Sequence, residues 1–201
     1  MALIHTVMLD NWARTNIARD KLGELLRKLI LANTDLANIE KIRFLANESN
    51  TLSGWDGILK CKSTLPAWIP AGTSVWELSV RGDARQKIKN DFDDRREKEL
   101  PSGWERDKTT YIAATLHKLD DISTLEDELK AVSPWMDVRV IDVQSLEEWI
   151  ELSPSVETWL QEQGVGPPAS VVTLPRHWRG WSEKTQPPVL TKLILAGREK
   201  D

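Results

Sequence analysis

The sequence predicts an α/β fold: a mixed β-sheet, antiparallel meander plus parallel crossover, flanked by helices. Three observations predict it. The elements read in the order helix, three strands, helix, strand, helix, strand, helices. Three successive strands favour an antiparallel meander, whereas the later strand–helix–strand alternation favours a parallel crossover. The chain has 201 residues, 40% apolar and 29% charged, which suffices for one sizeable core in an ordinary globular balance.

Each element has its own signal. In "ARTNIARDKLGELLRKLILANT", Leu22, Leu25, Leu26, Leu29 and Ile30 recur at helical spacing and predict a helix from about Thr15 to Asn33. "IEKIRFLA", 39–46, alternates as a strand, and "NESNTLSG" is a loop. "WDGILKC" and "TSVWELSV" are two further strands joined by "STLPAWIPAG". "DARQKIKNDFDDRREKEL", 83–100, is a charged helix capped by Asp83. "TTYIAATL", 109–116, is a buried strand, and "ISTLEDELKAV" is a helix capped by Ser123 or Thr124. "MDVRVIDV", 136–143, is the last strand. "SLEEWIEL" and "SVETWLQEQ" are short helices, each opened by a serine with a glutamate near the third position, the pattern of a capping box. No internal repeat is present. Residues 1–164 are expected to form the α/β domain. Residues 165–201 are Pro/Gly-rich and weakly periodic, and read as an extended tail or a linker to a further C-terminal region.

Composition excludes several classes. A net charge of −4 provides no global basic field to hold nucleic acid unaided. The single cysteine, Cys61, makes no internal disulfide and reads as a buried thiol in a reducing, cytoplasmic setting. "MALIHTVMLDNW" lacks the basic start and long apolar centre of a signal peptide. No stretch approaches the roughly 18 apolar residues of a membrane span. The ten tryptophans are spread from Trp12 to Trp181, which points to packing between elements. His5, His117 and His177 are too scattered for a metal set, and there is neither a nucleophile elbow nor a P-loop.

The informative stretch is "GWDGILKCKSTLPAWIPAGTSVWELSV", Gly54 to Val80. Each strand carries one acid, Asp56 and Glu77, among residues that normally go inside. Side chains two apart on a strand share a face, so Asp56 lies with Ile58, Lys60 and Lys62, and Glu77 with Val75, Ser79 and Arg81. A meander brings these faces together. Two close carboxylates repel and are costly to desolvate unless a cation sits between them. Mg²⁺ is the hard cation for oxygen ligands with open water positions, and it can orient a phosphate and activate water. The plainer reading is two partly exposed acids salt-bridged to Lys60 or Arg81.

An Asp on one hairpin strand and Glu-x-Lys on the next is the signature of the PD-(D/E)XK nuclease superfamily. The chain resembles its Mrr-type restriction-endonuclease branch through "GWDG", "VWELS" and "VRVIDVQSLEEWI", over roughly residues 10–152. More narrowly, "GWDG", "AGTSVWELS" and "DFDDR" resemble N-terminal effector domains of bacterial antiviral NTPases of the STAND type. The resemblance implies a restriction-endonuclease-like sheet and a metal-dependent DNA endonuclease, with Asp56 and Glu77 as catalytic metal ligands for Mg²⁺ or Mn²⁺. It also implies Glu24 on the leading helix as a further acid. The implied partners are double-stranded DNA, a C-terminal NTPase or sensor region and further copies of the chain in a homo-oligomer, with no membrane.

Ser79 stands where the branch has its lysine. Arg81, Lys60 and Lys87 are the candidates to replace that lysine, and Lys87, one turn into the following helix, is the expected catalytic residue. Arg81 and Arg95 are the expected DNA contacts. The acids around Arg95, Arg96 and Lys98 also allow a solvated, salt-bridged helix face. "RHWRGW", 176–181, reads as a tail anchored by two tryptophans or a stacking platform for bases. Three functions stay open: an active nuclease, an inactive relative that binds nucleic acid or a partner, and a protein-interaction or oligomerisation domain.

Overall fold

The computed structural model describes residues 3–44, 54–62 and 65–167. Within them, α1 (Thr6–Ala13) and α2 (Asn16–Asn33) precede β1 (Ile39–Phe44), β2 (Gly57–Cys61) and β3 (Gly72–Ser79). Then come α3 (Ala84–Arg95), β4 (Thr109–Thr115), α4 (Ile122–Lys130), β5 (Asp137–Ile141), α5 (Val143–Glu151) and α6 (Pro154–Glu162). The five strands lie in chain order in one sheet. The pairs β1–β2 and β2–β3 are antiparallel, and β3–β4 and β4–β5 are parallel. The α/β class, the meander and the crossover are therefore as the sequence predicts.

Strand alternation divides the core in two. Leu59, Trp76, Ile112 and Ile141 point to one face, packed with α1, α2, α5 and α6. Ile58, Val75, Tyr111 and Val138 point to the other, packed with Ile88 and Phe92 of α3 and Leu125 and Leu129 of α4. Every residue of β4 is buried, which is why "TTYIAAT" shows no polar face: a parallel strand covered on both sides has none to show.

Gly57 has a specific reason to be glycine. It stands across the ladder from both Phe44 and Trp76. A Cβ there would overlap the Phe44 ring, and that ring is itself set edge-on to Trp76 at 5.4 Å. The glycine after Asp56 thus lets two aromatic side chains close over the start of β2.

The helix ends differ from expectation. The sequence gives no sign of α1, because the residue before it, His5, makes no side-chain cap. Its amino end is held from afar: Glu147 accepts the Thr6 amide at 2.7 Å, and Glu157 accepts the amides of Leu3 and Ile4. These are the two glutamates expected to close capping boxes on α5 and α6. Instead α5 starts at Val143, with Asp142 accepting from the amides of Gln144 and Ser145. Likewise α6 starts at Pro154 behind Ser153. Ser123 and Thr124 lie inside α4, whose cap residue, Asp121, takes a left-handed φ of 55°. Asp83 does precede α3, but its carboxylate binds Arg81 rather than the helix amides. That helix stops at Arg95, short of the expected 100. Cys61 is buried beside the Pro70 carbonyl. No helix among the described residues is long and apolar enough to cross a membrane. The expected tail and "RHWRGW" lie, from 168 onward, outside the described residues.

Candidate functional site

The β2–β3 ladder pairs Ile58 with Val75 and Gly57 with Trp76. One step further sets Asp56, just ahead of β2, opposite Glu77. Glu77 shares the Val75 face and stands beside Ala113 of β4. Asp56 is fixed by accepting the Leu78 amide on Oδ2 at 2.8 Å. The two acids therefore meet on one face of adjacent strands, as their parity predicts.

The site is closed by α3. Ala84, Ile88 and Phe92 recur every fourth residue and bury against the sheet. That stripe carries Asp91 and Arg95 onto the same side. Arg95 Nη2 donates to Glu77 Oε2 at 2.9 Å. Arg95 Nε lies 2.6 Å from Oε1, close enough for an ion pair, yet both atoms lack a hydrogen bond. The contact is charge attraction at a poor angle, and it leaves Oε1 an orphaned, buried acceptor.

Electrostatics follow from this burial. The Glu77 side chain is only 5% exposed. Burial first, then the Asp56 charge, pushes its carboxyl up to about 7, against the pull of Arg95. Burial also raises Asp56, opposed by the Leu78 amide and Arg95 and reinforced by Asp91. Burial holds Lys98 below the usual lysine range, helped by Arg95. The Tyr111 hydroxyl, buried and without a hydrogen-bond partner, is raised by desolvation and then by Glu77.

An aromatic wall backs the acids. Trp55 packs edge-on against Trp135 at 5.6 Å and Tyr111 at 6.3 Å. Arg95 and Lys98 stand over its ring at 5.6 and 5.7 Å. Trp55 Nε1 donates to the Glu99 carbonyl at 3.1 Å, and Lys98 Nζ donates to the Gly54 carbonyl at 2.8 Å. The segment after α3 thereby ties down the turn that presents Asp56.

The other expected residues lie elsewhere. Lys87 pairs with Asp91 on its own helix, so it is one ion pair removed from Glu77. Arg81 is exposed and bound to Asp83, and Lys60 is bound to Glu40 at 2.6 Å. Ser79 is buried and accepts the Arg81 amide. Glu24 is on α2, behind the opposite sheet face, between Lys21 and Lys28. Arg95, expected on DNA or on a solvated helix face, turns inward to become the cation on the acids. The sequence reading missed the inward turn of Asp91 and Arg95. Their phase relative to Ala84, Ile88 and Phe92 was the available signal.

Mg²⁺ is typically held through one or two carboxylates while keeping several waters. Asp56, Glu77 and the orphaned Oε1 fit that two-carboxylate pattern. Among the described residues no three His, Cys, Asp or Glu side chains gather as a metal cluster. Comparison of the chain with protein-family models, curated proteins and solved structures finds no match.

Proposed function

We propose that this chain is a metal-dependent DNA endonuclease domain of the PD-(D/E)XK kind, the effector part of a bacterial anti-phage defence protein that also carries an NTPase or sensor region. The observation behind this reading is the placement of Asp56, half-buried just ahead of β2, opposite the buried Glu77 of β3, on one face. Two neighbouring carboxylates repel, and Arg95 brings one unit of positive charge to them where a divalent cation would bring two. Mg²⁺ or Mn²⁺, bound there, supplies charge neutralisation and an activated water for phosphodiester hydrolysis. Asp56, oriented by the Leu78 amide, and Glu77, oriented by β3, would supply the oxygen ligands. Among the described residues, Arg95 is the basic group paired with Glu77, and it is the candidate to stabilise phosphate charge in place of the lysine absent at Ser79.

A second reading has its own support. Arg95 already neutralises Glu77, and Ser79 occupies the motif's lysine position. An inactive nuclease fold kept for nucleic-acid or protein binding would have the same pair. Plasmid cleavage in Mg²⁺ or Mn²⁺, with the chain concentrated or fused to an oligomer, separates the two. Cleavage that falls at least about a hundredfold in Asp56→Ala and Glu77→Ala supports the nuclease. A wild-type chain that never cuts, even when clustered, supports the inactive module.

A further inference from the structure

The Arg95–Glu77 pair has three properties that are odd for a purely structural ion pair. First, its geometry is incomplete. A buried pair offsets its desolvation only when its hydrogen bonds are also satisfied. Here Nε and Oε1 are 2.6 Å apart and neither has a hydrogen bond. Second, the partners differ in freedom. Glu77 is fixed inside β3 with its side chain 5% exposed, whereas Arg95 is the last residue of α3 and its side chain is 24% exposed. Third, the Arg95 guanidinium stands over the Trp55 ring at 5.6 Å while it pairs with Glu77, a contact on its charge that does not depend on the carboxylate. The carboxylate is fixed and the cation on it can leave.

We infer that Arg95 is a displaceable counter-ion: it covers the Glu77 carboxylate until a divalent cation takes its place between Glu77 and Asp56. This rests on the reading of those two acids as cation ligands. In the exchange no bond is made or broken covalently; the guanidinium leaves Oε2 toward solvent, and Oε1 and Oε2 become free for the metal. The pair thus keeps the acids folded without metal and sets a threshold for metal binding.

The test is calorimetric titration of Mn²⁺ into the 201-residue chain and its variants, with melting temperatures measured with and without Mn²⁺. Arg95→Met keeps the aliphatic stem and removes the competing charge. It should bind Mn²⁺ at least about tenfold more tightly than wild type, and Mn²⁺ should raise its melting temperature more. Lys98→Met removes the same charge from the same neighbourhood without uncovering Glu77, so its gain should be clearly smaller. Glu77→Gln should remove binding in either background. Should Arg95→Met not fold without metal, Arg95→Lys, which has no fork to hold both oxygens, should give an intermediate gain.

Equal affinity in wild type and Arg95→Met would overturn the inference while leaving the metal site standing. A gain in Lys98→Met as large as that in Arg95→Met would also overturn it, because general charge would then explain the effect. No Mn²⁺ binding by wild type or Arg95→Met would remove the metal-site reading and the inference together.

Discussion

The guanidinium of Arg95 covers the buried carboxylate of Glu77, with Nη2 2.9 Å from Oε2. The helix that delivers the arginine and the strand that holds the acid are joined in the parallel crossover, so the pair spans the connection that defines the sheet. Removing one partner leaves the other charge buried and alone.

Arg95→Met should therefore cost more at pH 8 than at pH 5, read by urea unfolding, by at most about 1.4 kcal/mol, because a carboxyl already pushed up to about 7 takes up a proton rather than stay charged and alone. That excess should disappear at pH 5, where a protonated Glu77 no longer needs a partner. Glu77→Gln with Arg95→Met should recover much of the stability at both pH values. A loss in Arg95→Met that is the same at pH 5 and pH 8 would place its origin in packing rather than charge.

The raised carboxyl of Glu77 has a defined sign. The group titrates at the ordinary glutamate value of 4.5 in the unfolded chain and is pushed up to about 7 in the folded one, so the folded chain holds the extra proton between them. Its contribution to stability is fully present below about 4.5 and is lost as pH rises to about 7. The difference in unfolding free energy between wild type and Glu77→Gln should change across that window and flatten above it. Carboxyl NMR of Glu77 should show a midpoint well above that of an ordinary glutamate. A midpoint at or below the usual value would contradict the burial argument.

Gly57→Ala tests the support of Asp56 without touching an acid. The added methyl meets the Phe44 ring, which is blocked behind by Trp76. Overpacking of this kind costs about 1–3 kcal/mol and should shift the start of β2. Mn²⁺ binding should weaken along with stability. Unchanged stability and unchanged Mn²⁺ binding would mean that Phe44 can move aside freely.

Lys87→Ala and Arg95→Ala should separate in a cleavage assay. Lys87 acts on the acids only through Asp91, so its loss should reduce cleavage less than the loss of Arg95 does. A larger effect from Lys87 would return the role of the missing lysine to it.

The sheet and its acids were legible in the sequence because period-two alternation is a local signal. Ile58 and Val75 mark the face that α3 and α4 cover, and Asp56 and Glu77 follow by parity. The basic partner was less legible, since it depends on the rotation of α3 against the sheet. A run as charged as "ARQKIKNDFDDR" hides its apolar stripe of three residues, Ala84, Ile88 and Phe92. Helix α1 was not legible at all. Its amino end is satisfied by Glu147 and Glu157, which lie 141 and 153 residues further along the chain than the amides they accept, and no local pattern announces a cap that arrives from so far in sequence.

The most direct measurement is a crystal of the chain soaked in Mn²⁺, with the anomalous signal used to locate the metal. One strong peak is expected between the carboxylates of Asp56 and Glu77, with the Arg95 guanidinium moved off Glu77. A fully soaked crystal with no peak there, and Arg95 still seated on Oε2, would contradict this expectation.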